Sequence, residues 1–190
     1  RSLIFDCLGE KHFPQHVSNR LVERLSKKAP HLTLIEEDEQ AHGRMQVSSE
    51  FTEMEDGVRP VSYHAIDTIT DDPEARINFD WDTNEARGTV GTEEIVLQLD
   101  ELSHDAVSIQ YELMYDLLNG KPETDYVLFD LDKMRVAKVR NVGTRTVKTK
   151  AGRFEVTGIE HQKDGSLRKT TLWCAPELDY LPVIIEQSKG

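Results

Sequence analysis

The sequence predicts a mainly β protein: a strongly curved antiparallel sheet, a half-barrel or open barrel, wrapped around one central α-helix. Three observations predict it. Apolar residues recur with period two through most of the chain, tight-turn residues separate these runs, and one segment near residues 105–119 switches to a helical period. A chain of 190 residues is long enough to bury a sizeable core in one domain spanning 1–190, so no second core is expected.

The clearest alternation is ARINFDW, in which Ile77, Phe79 and Trp81 share one strand face while Arg76, Asn78 and Asp80 take the other. Met45, Val47 and Phe51 follow the same rule, as do Ile95, Leu97 and Leu99, and Leu167, Thr171 and Trp173. Between the runs lie Asp56-Gly57, the stretch 82–88, Asn119-Gly120, Ala151-Gly152 and Asp164-Gly165. These supply the positive φ angles that tight connections need, and their spacing argues for consecutive antiparallel strands. No βαβ rhythm and no internal repeat is apparent.

The helical segment opens on Asp105, which can cap the first turn, and stops at Asn119-Gly120 and Pro122. Ala106, Val107, Ile109, Tyr111, Leu113, Met114, Leu117 and Leu118 cover well over half its circumference, leaving Ser108, Glu112, Asp116 and Asn119 on a narrow polar side. An arc that wide argues for a helix set deep against the concave face of the sheet.

The formal net charge of −12 repels phosphate backbones and anionic membrane surfaces, which argues against a nucleic-acid partner. The charge is unevenly placed. Lys133, Arg135, Lys138, Arg140, Arg145, Lys148, Lys150 and Arg153 have no acidic residue among them, whereas Glu36, Glu37, Asp38 and Glu39 form a compact acidic run. The basic stretch reads as the solvated outer face of a hairpin or, alternatively, as a docking face for an acidic partner through Lys133, Arg135, Lys138 and Arg140. No run approaches the roughly 18 apolar residues of a membrane span, so the chain is not expected to be transmembrane.

Motifs for chemistry fail on inspection. His12 and His16 have zinc spacing, but Pro14 lies between them. Ser103-His104-Asp105 holds the residue types of a hydrolase triad, yet adjacent side chains diverge, and a helix cap accounts for them better. The loop from Asp80 opens like a calcium site but has Glu85 where glycine is needed and Gly91 where a bidentate glutamate is needed. Asp130 and Asp132 share a strand face without any sign that one is held neutral. Cys7 and Cys174 have neither metal nor redox spacing and are either bridged in an oxidising compartment or buried as core thiols. We therefore expect no cofactor, no metal and no enzyme; a hydrolase using scattered carboxylates with His64 or His161 is the weaker alternative.

Five segments in order, residues 48–65, INFDW, 103–118, VGTRTVKTKAGRFEV (142–156) and TTLWCAPELDYLPVIIEQ (170–187), resemble the bacterial envelope proteins grouped as domain of unknown function 3108. The resemblance covers roughly 45–187 and implies export and a periplasmic location, with a leader removed before Arg1; it implies no activity. In the last segment Trp173 reads as a core anchor, Pro176 interrupts the ladder, and Leu181, Val183 and Ile185 resume a buried face, which makes this stretch a sheet-closing connection. A curved sheet holding a helix is also similar to the carriers of the lipoprotein-localisation system, which hold acyl chains in a greasy concavity. The expected function is accordingly a non-catalytic envelope module that binds an apolar small molecule or lipid, or an envelope protein. Phe79, Trp81, Tyr111, Met114, Tyr115, Leu118 and Trp173 would line its cleft. A structural subunit docking through the basic face is the alternative.

Overall fold

The computed structural model describes residues 3–5, 31–38, 43–67, 72–121, 123–149 and 152–189. Along the chain run β1 (Leu3–Phe5), β2 (His31–Asp38), β3 (Gly43–Met54), β4 (Gly57–Asp67), β5 (Ala75–Asp80), β6 (Glu85–Val90), β7 (Glu93–Gln98) and β8 (Ser103–His104). Helix α1 (Ser108–Asn119) follows, then β9 (Tyr126–Asp130), β10 (Lys133–Thr149), β11 (Gly152–Lys163), β12 (Arg168–Ala175), a 3-10 turn (Pro176–Leu178) and β13 (Leu181–Lys189). The protein is thus mainly β with one helix among the described residues. Its strands form a six-stranded sheet in the order β2-β3-β4-β5-β6-β7 and a seven-stranded sheet in the order β1-β13-β12-β11-β10-β9-β8, neither closed on itself. Cys7, His12, His16, Glu39, Pro122, Lys150 and Ala151 lie outside the described residues.

By its contacts the chain divides into two compact units. The first comprises Arg1–Val22, Leu113–Tyr126 and Val136–Gly190; the second comprises Glu23–Glu112 and Val127–Arg135. Each is described by itself.

In the second unit, β2 to β7 pair antiparallel in chain order, as the spacing of turn residues predicts. The alternation of β5 is realised residue by residue: Ala75, Ile77 and Phe79 are buried and Arg76, Asn78 and Asp80 exposed. The buried set joins Ala86, Leu99 and Phe129 in one core, with Tyr63, Trp81, Ile95 and Leu97 packed on it. Tyr63 meets Phe129 edge to face at 5.6 Å, a geometry that suits the ring quadrupoles. Gly88 of β6 is required by close approach: a Cβ there would lie 1.8 Å from the Arg76 carbonyl oxygen. Pro60 is accommodated in β4 beside a register shift in β3 between Glu50 and Phe51. Its carbonyl accepts the Trp81 indole N–H at 2.7 Å, a side chain standing in for a ladder partner.

One expectation is corrected here. β8 pairs with β9 in parallel, Ser103 opposite Val127 and His104 opposite Leu128, so α1 is the crossover of a single βαβ unit. Two residues of β8 are too few for any periodicity to show.

In the first unit, β10 to β13 pair antiparallel in chain order and β1 lies on the outer side of β13. Val147, Phe154, Val156, Trp173, Ala175 and Val183 form its core. The Trp173 ring covers Gly158, where a Cβ would lie 2.6 Å from the ring, and the Arg145 guanidinium stacks 3.6 Å from the ring centroid. Glu186 accepts from the Trp173 indole at 2.8 Å and pairs with Arg145 at 2.5 Å. Against the upward push of burial, these two partners hold the Glu186 carboxyl below its ordinary value. Pro176 does interrupt the ladder: the 3-10 turn leads to Asp179 and Tyr180 at φ 54° and 59° before Leu181 pairs with Ala175. Val183 is buried and Leu181 and Ile185 are half-buried. Residues 170–187 are therefore a hairpin of the sheet.

These close approaches give a contrast. Gly88→Ala should cost at least about 2 kcal/mol because backbone must move to admit the methyl. Gly120→Ala, with φ 60° and nothing within 4 Å, should cost only about 1 kcal/mol, the strain of a left-handed alanine. Urea unfolding of the two variants beside the parent measures both.

Candidate functional site

Helix α1 turns its polar residues inward, not outward. Ser108, Glu112 and Asp116 are all buried, while Leu118 is 52% exposed. Together with Asp105 they are spaced by three, four and four residues, which places them on one side of the helix.

In the second unit, Asp105 accepts the N–H groups of Val107 and Ser108 at 2.8 and 2.9 Å, and Ser108 Oγ returns a bond to the Asp105 N–H at 3.0 Å. This is a reciprocal capping box. The other Asp105 oxygen takes the Ser49 hydroxyl at 2.7 Å. Burial nonetheless raises the pKa of this carboxyl, with those bonds opposing the shift. One and two turns on, Tyr111 lies against Phe51 with ring centroids 5.0 Å apart, and Glu112 accepts the Val58 N–H at 2.7 Å. Gly57 makes room for that carboxylate, since a Cβ there would meet it at 2.4 Å.

In the first unit the helix ends in a Schellman motif. The Lys121 N–H bonds the Asp116 carbonyl at 2.9 Å, the Gly120 N–H bonds the Leu117 carbonyl at 3.3 Å, and Gly120 sits at φ 60°. This fold-back brings the Lys121 ammonium 3.3 Å from Asp116 Oδ1 and 4.6 Å from the centre of the Tyr115 ring. The Tyr126 hydroxyl donates to Asp116 Oδ2. The loop that follows is pinned to β10: Glu123 accepts the Asn141 N–H at 3.0 Å and Asp125 the Val139 N–H at 3.2 Å. Between helix, loop and strands lies a cavity of about 230 Å³. Leu113, Leu117, Val139 and Ile159 make its apolar wall; Asp116, Lys121, Glu123, Thr124 and Asn141 make its polar side. Asn141 stands at a bulge, its Oδ1 accepting the Gly143 N–H at 2.8 Å with Gly143 at φ 94°.

The residues read from sequence as a cleft are distributed otherwise. In the second unit Phe79 is buried in the core with Trp81 packed beside it, Arg59 lies over the Trp81 ring at 5.1 Å, and Tyr111 belongs to a separate cluster with Phe51 and Val58. In the first unit Met114 and Tyr115 are half-buried, Leu118 is exposed and Trp173 fills the core. None of these seven lines the cavity. Aromatic content guided that reading, whereas the cavity wall is aliphatic. No sequence signal marked the aliphatic wall, which is assembled from residues far apart in the chain.

The basic face is largely matched by carboxylates. Lys133 lies 3.8 Å from Asp132 and Arg135 2.7 Å from Asp130 in the second unit; in the first, Lys138 lies 3.4 Å from Asp164 and Arg140 is exposed on β10. His64 is 2.7 Å from Glu74, which also takes Arg76 at 2.5 Å. His161 sits on β11, its imidazole held down to about 4 by burial and then by Lys163. Ser103 is buried, and its Oγ accepts the Asp100 N–H at 2.8 Å. Asp80 accepts the Asp82 and Thr83 N–H groups at 3.0 and 3.2 Å, closing the β5–β6 turn. Cys174 is fully buried on β12. Among the described residues no group of three or more His, Cys, Asp or Glu could hold a metal ion, and no helix is long and apolar enough to cross a membrane.

Residues 39–189 match the family described as "Protein of unknown function (DUF3108)". The chain belongs to the DUF3108 family. No curated protein matches it. Among solved structures, this DUF3108 chain is similar to a beta-barrel-like protein of domain of unknown function DUF1849 from Brucella abortus. The identity is 11% and the TM-score 0.48, over 83% of this chain and 77% of that one.

A pH dependence follows from His104, which is 3% exposed and whose pKa burial lowers to about 3 from an ordinary 6.5. The folded state refuses a proton that the unfolded chain accepts. Stability is therefore complete above pH 6.5 and declines as pH falls toward 3, by about 1.4 kcal/mol per pH unit at most. The part due to His104 is a loss of about 2 kcal/mol between pH 7.5 and 5, and urea unfolding should read it as the difference in pH dependence between the parent and His104→Gln, because His161 adds a loss of the same sign and Asp105 a gain.

Proposed function

We propose that this DUF3108 protein is a non-catalytic binding module that takes the apolar part of a small molecule into the cavity of its first unit. The observation that carries the reading is the aliphatic wall of Leu113, Leu117, Val139 and Ile159 behind a polar side, the arrangement that small-molecule sites share. At about 230 Å³ the cavity is smaller than a drug-sized site. It suits a short chain, or the tip of a longer one, and not a whole lipid. In this reading β10 and β11 curve over the second half of α1, and the concavity so formed is what the helix fills only in part. The carboxylates at its edge already serve the backbone or Lys121, which supports binding over catalysis. The periplasm is its compartment, a reading supported by the likeness of residues 142–156 and 170–187 to envelope proteins.

Six-carbon chains test it. On titration with 1-hexanol or hexanoate, the methyl resonances of Leu113, Leu117, Val139 and Ile159 should shift together, and Val139→Phe should abolish the response by filling the space. Methyl resonances that stay put with both probes would remove the binding reading.

A further inference from the structure

We infer that the outer edge of β7 joins a second copy of this chain, the two strands pairing antiparallel about Val96 so that the two six-stranded sheets run together. The inference is independent of the cavity, since β7 lies in the second unit and ends its sheet.

The Leu99 N–H bonds the Asn84 carbonyl at 2.9 Å, and Glu85 stands opposite Gln98 and Val90 opposite Glu93. That phase gives Glu93, Ile95 and Leu97 to β6 and leaves Glu94, Val96 and Gln98 with their N–H and C=O groups directed outward. No described residue forms a ladder with them. Sheets guard such an edge with lysine, proline or a bulge. β7, of sequence EEIVLQ, has none of the three, and its register on β6 is unbroken. Val96 stands at the middle of this edge and is 53% exposed.

The edge is complementary to itself in one register. With Val96 opposite Val96 of the second copy, the outward groups of Glu94, Val96 and Gln98 all find ladder partners. Ile95 then faces Leu97 of the second copy on the side that packs on the core. Glu94 faces Gln98 of the second copy, an amide with one N–H left after its bond to Glu85. A shift of two residues, the smallest that keeps the strand faces, sets Glu94 opposite Val96 in one direction and opposite Asp100 in the other. Charge therefore selects the register centred on Val96.

Sedimentation velocity on the intact chain, from about 10 µM to about 1 mM, should show a monomer giving way to a dimer. Amide exchange at Glu94, Val96 and Gln98 should slow over the same range, while other exposed strand amides keep their rates. Val96→Pro removes an outward N–H without touching the ladder to β6, and should weaken association at least about tenfold. Should that variant fail to fold, Val96→Lys supplies the same information by setting two ammonium groups face to face. A monomer throughout the range overturns the inference. So does a dimer that leaves those three amides unprotected or that forms equally well with the variants.

Discussion

A helix that carries carboxylates on its inward side can be packed only if each of them finds a partner, and that constraint governs α1. An unmet buried polar atom costs about 1–3 kcal/mol, comparable to a large share of a domain's net stability. Asp105 is met by Ser49 and by the first-turn N–H groups, Glu112 by the Val58 N–H, and Asp116 by Tyr126 and Lys121. Rotating the helix by one residue would strand all of these together. Hydrogen bonding on this side acts together with the burial of Val107, Ile109 and Leu113, while Leu118 is left at the surface.

The cavity is a consequence of the same arrangement. The reversal at Gly120 sends the chain back past Asp116, and the loop then uses Glu123 and Asp125 to occupy N–H groups of β10. Side-chain carboxylates hold the loop at β10, and the aliphatic side chains Leu113, Val139 and Ile159 beside the cavity are themselves buried. The helix and the strands share both sides of the site: Leu113 and Leu117 of α1 join Val139 of β10 and Ile159 of β11 in the apolar wall, and the polar side takes Asp116 from α1 and Asn141 from β10. Trp173 illustrates the contrasting case. Its ring is enclosed by Gly158 and Arg145 and its N–H is taken by Glu186, so the largest side chain of this unit is spent on the core.

What the amino-acid sequence determined by itself is whatever depends on near neighbours in the chain. The strand faces of Ala75 to Asp80, the turn glycines, the Asp105 cap and the stop at Asn119-Gly120 were all legible, because side-chain alternation and backbone φ preferences act over a few residues. Which side of α1 faces inward, the parallel pairing of β8 with β9, and the aliphatic cavity were decided only in the tertiary structure. Ser49 lies 56 residues from Asp105 and Val58 lies 54 from Glu112. A polar stripe is read as solvated until partners that distant are placed against it, since only they turn the burial of a carboxylate from a penalty into an anchor.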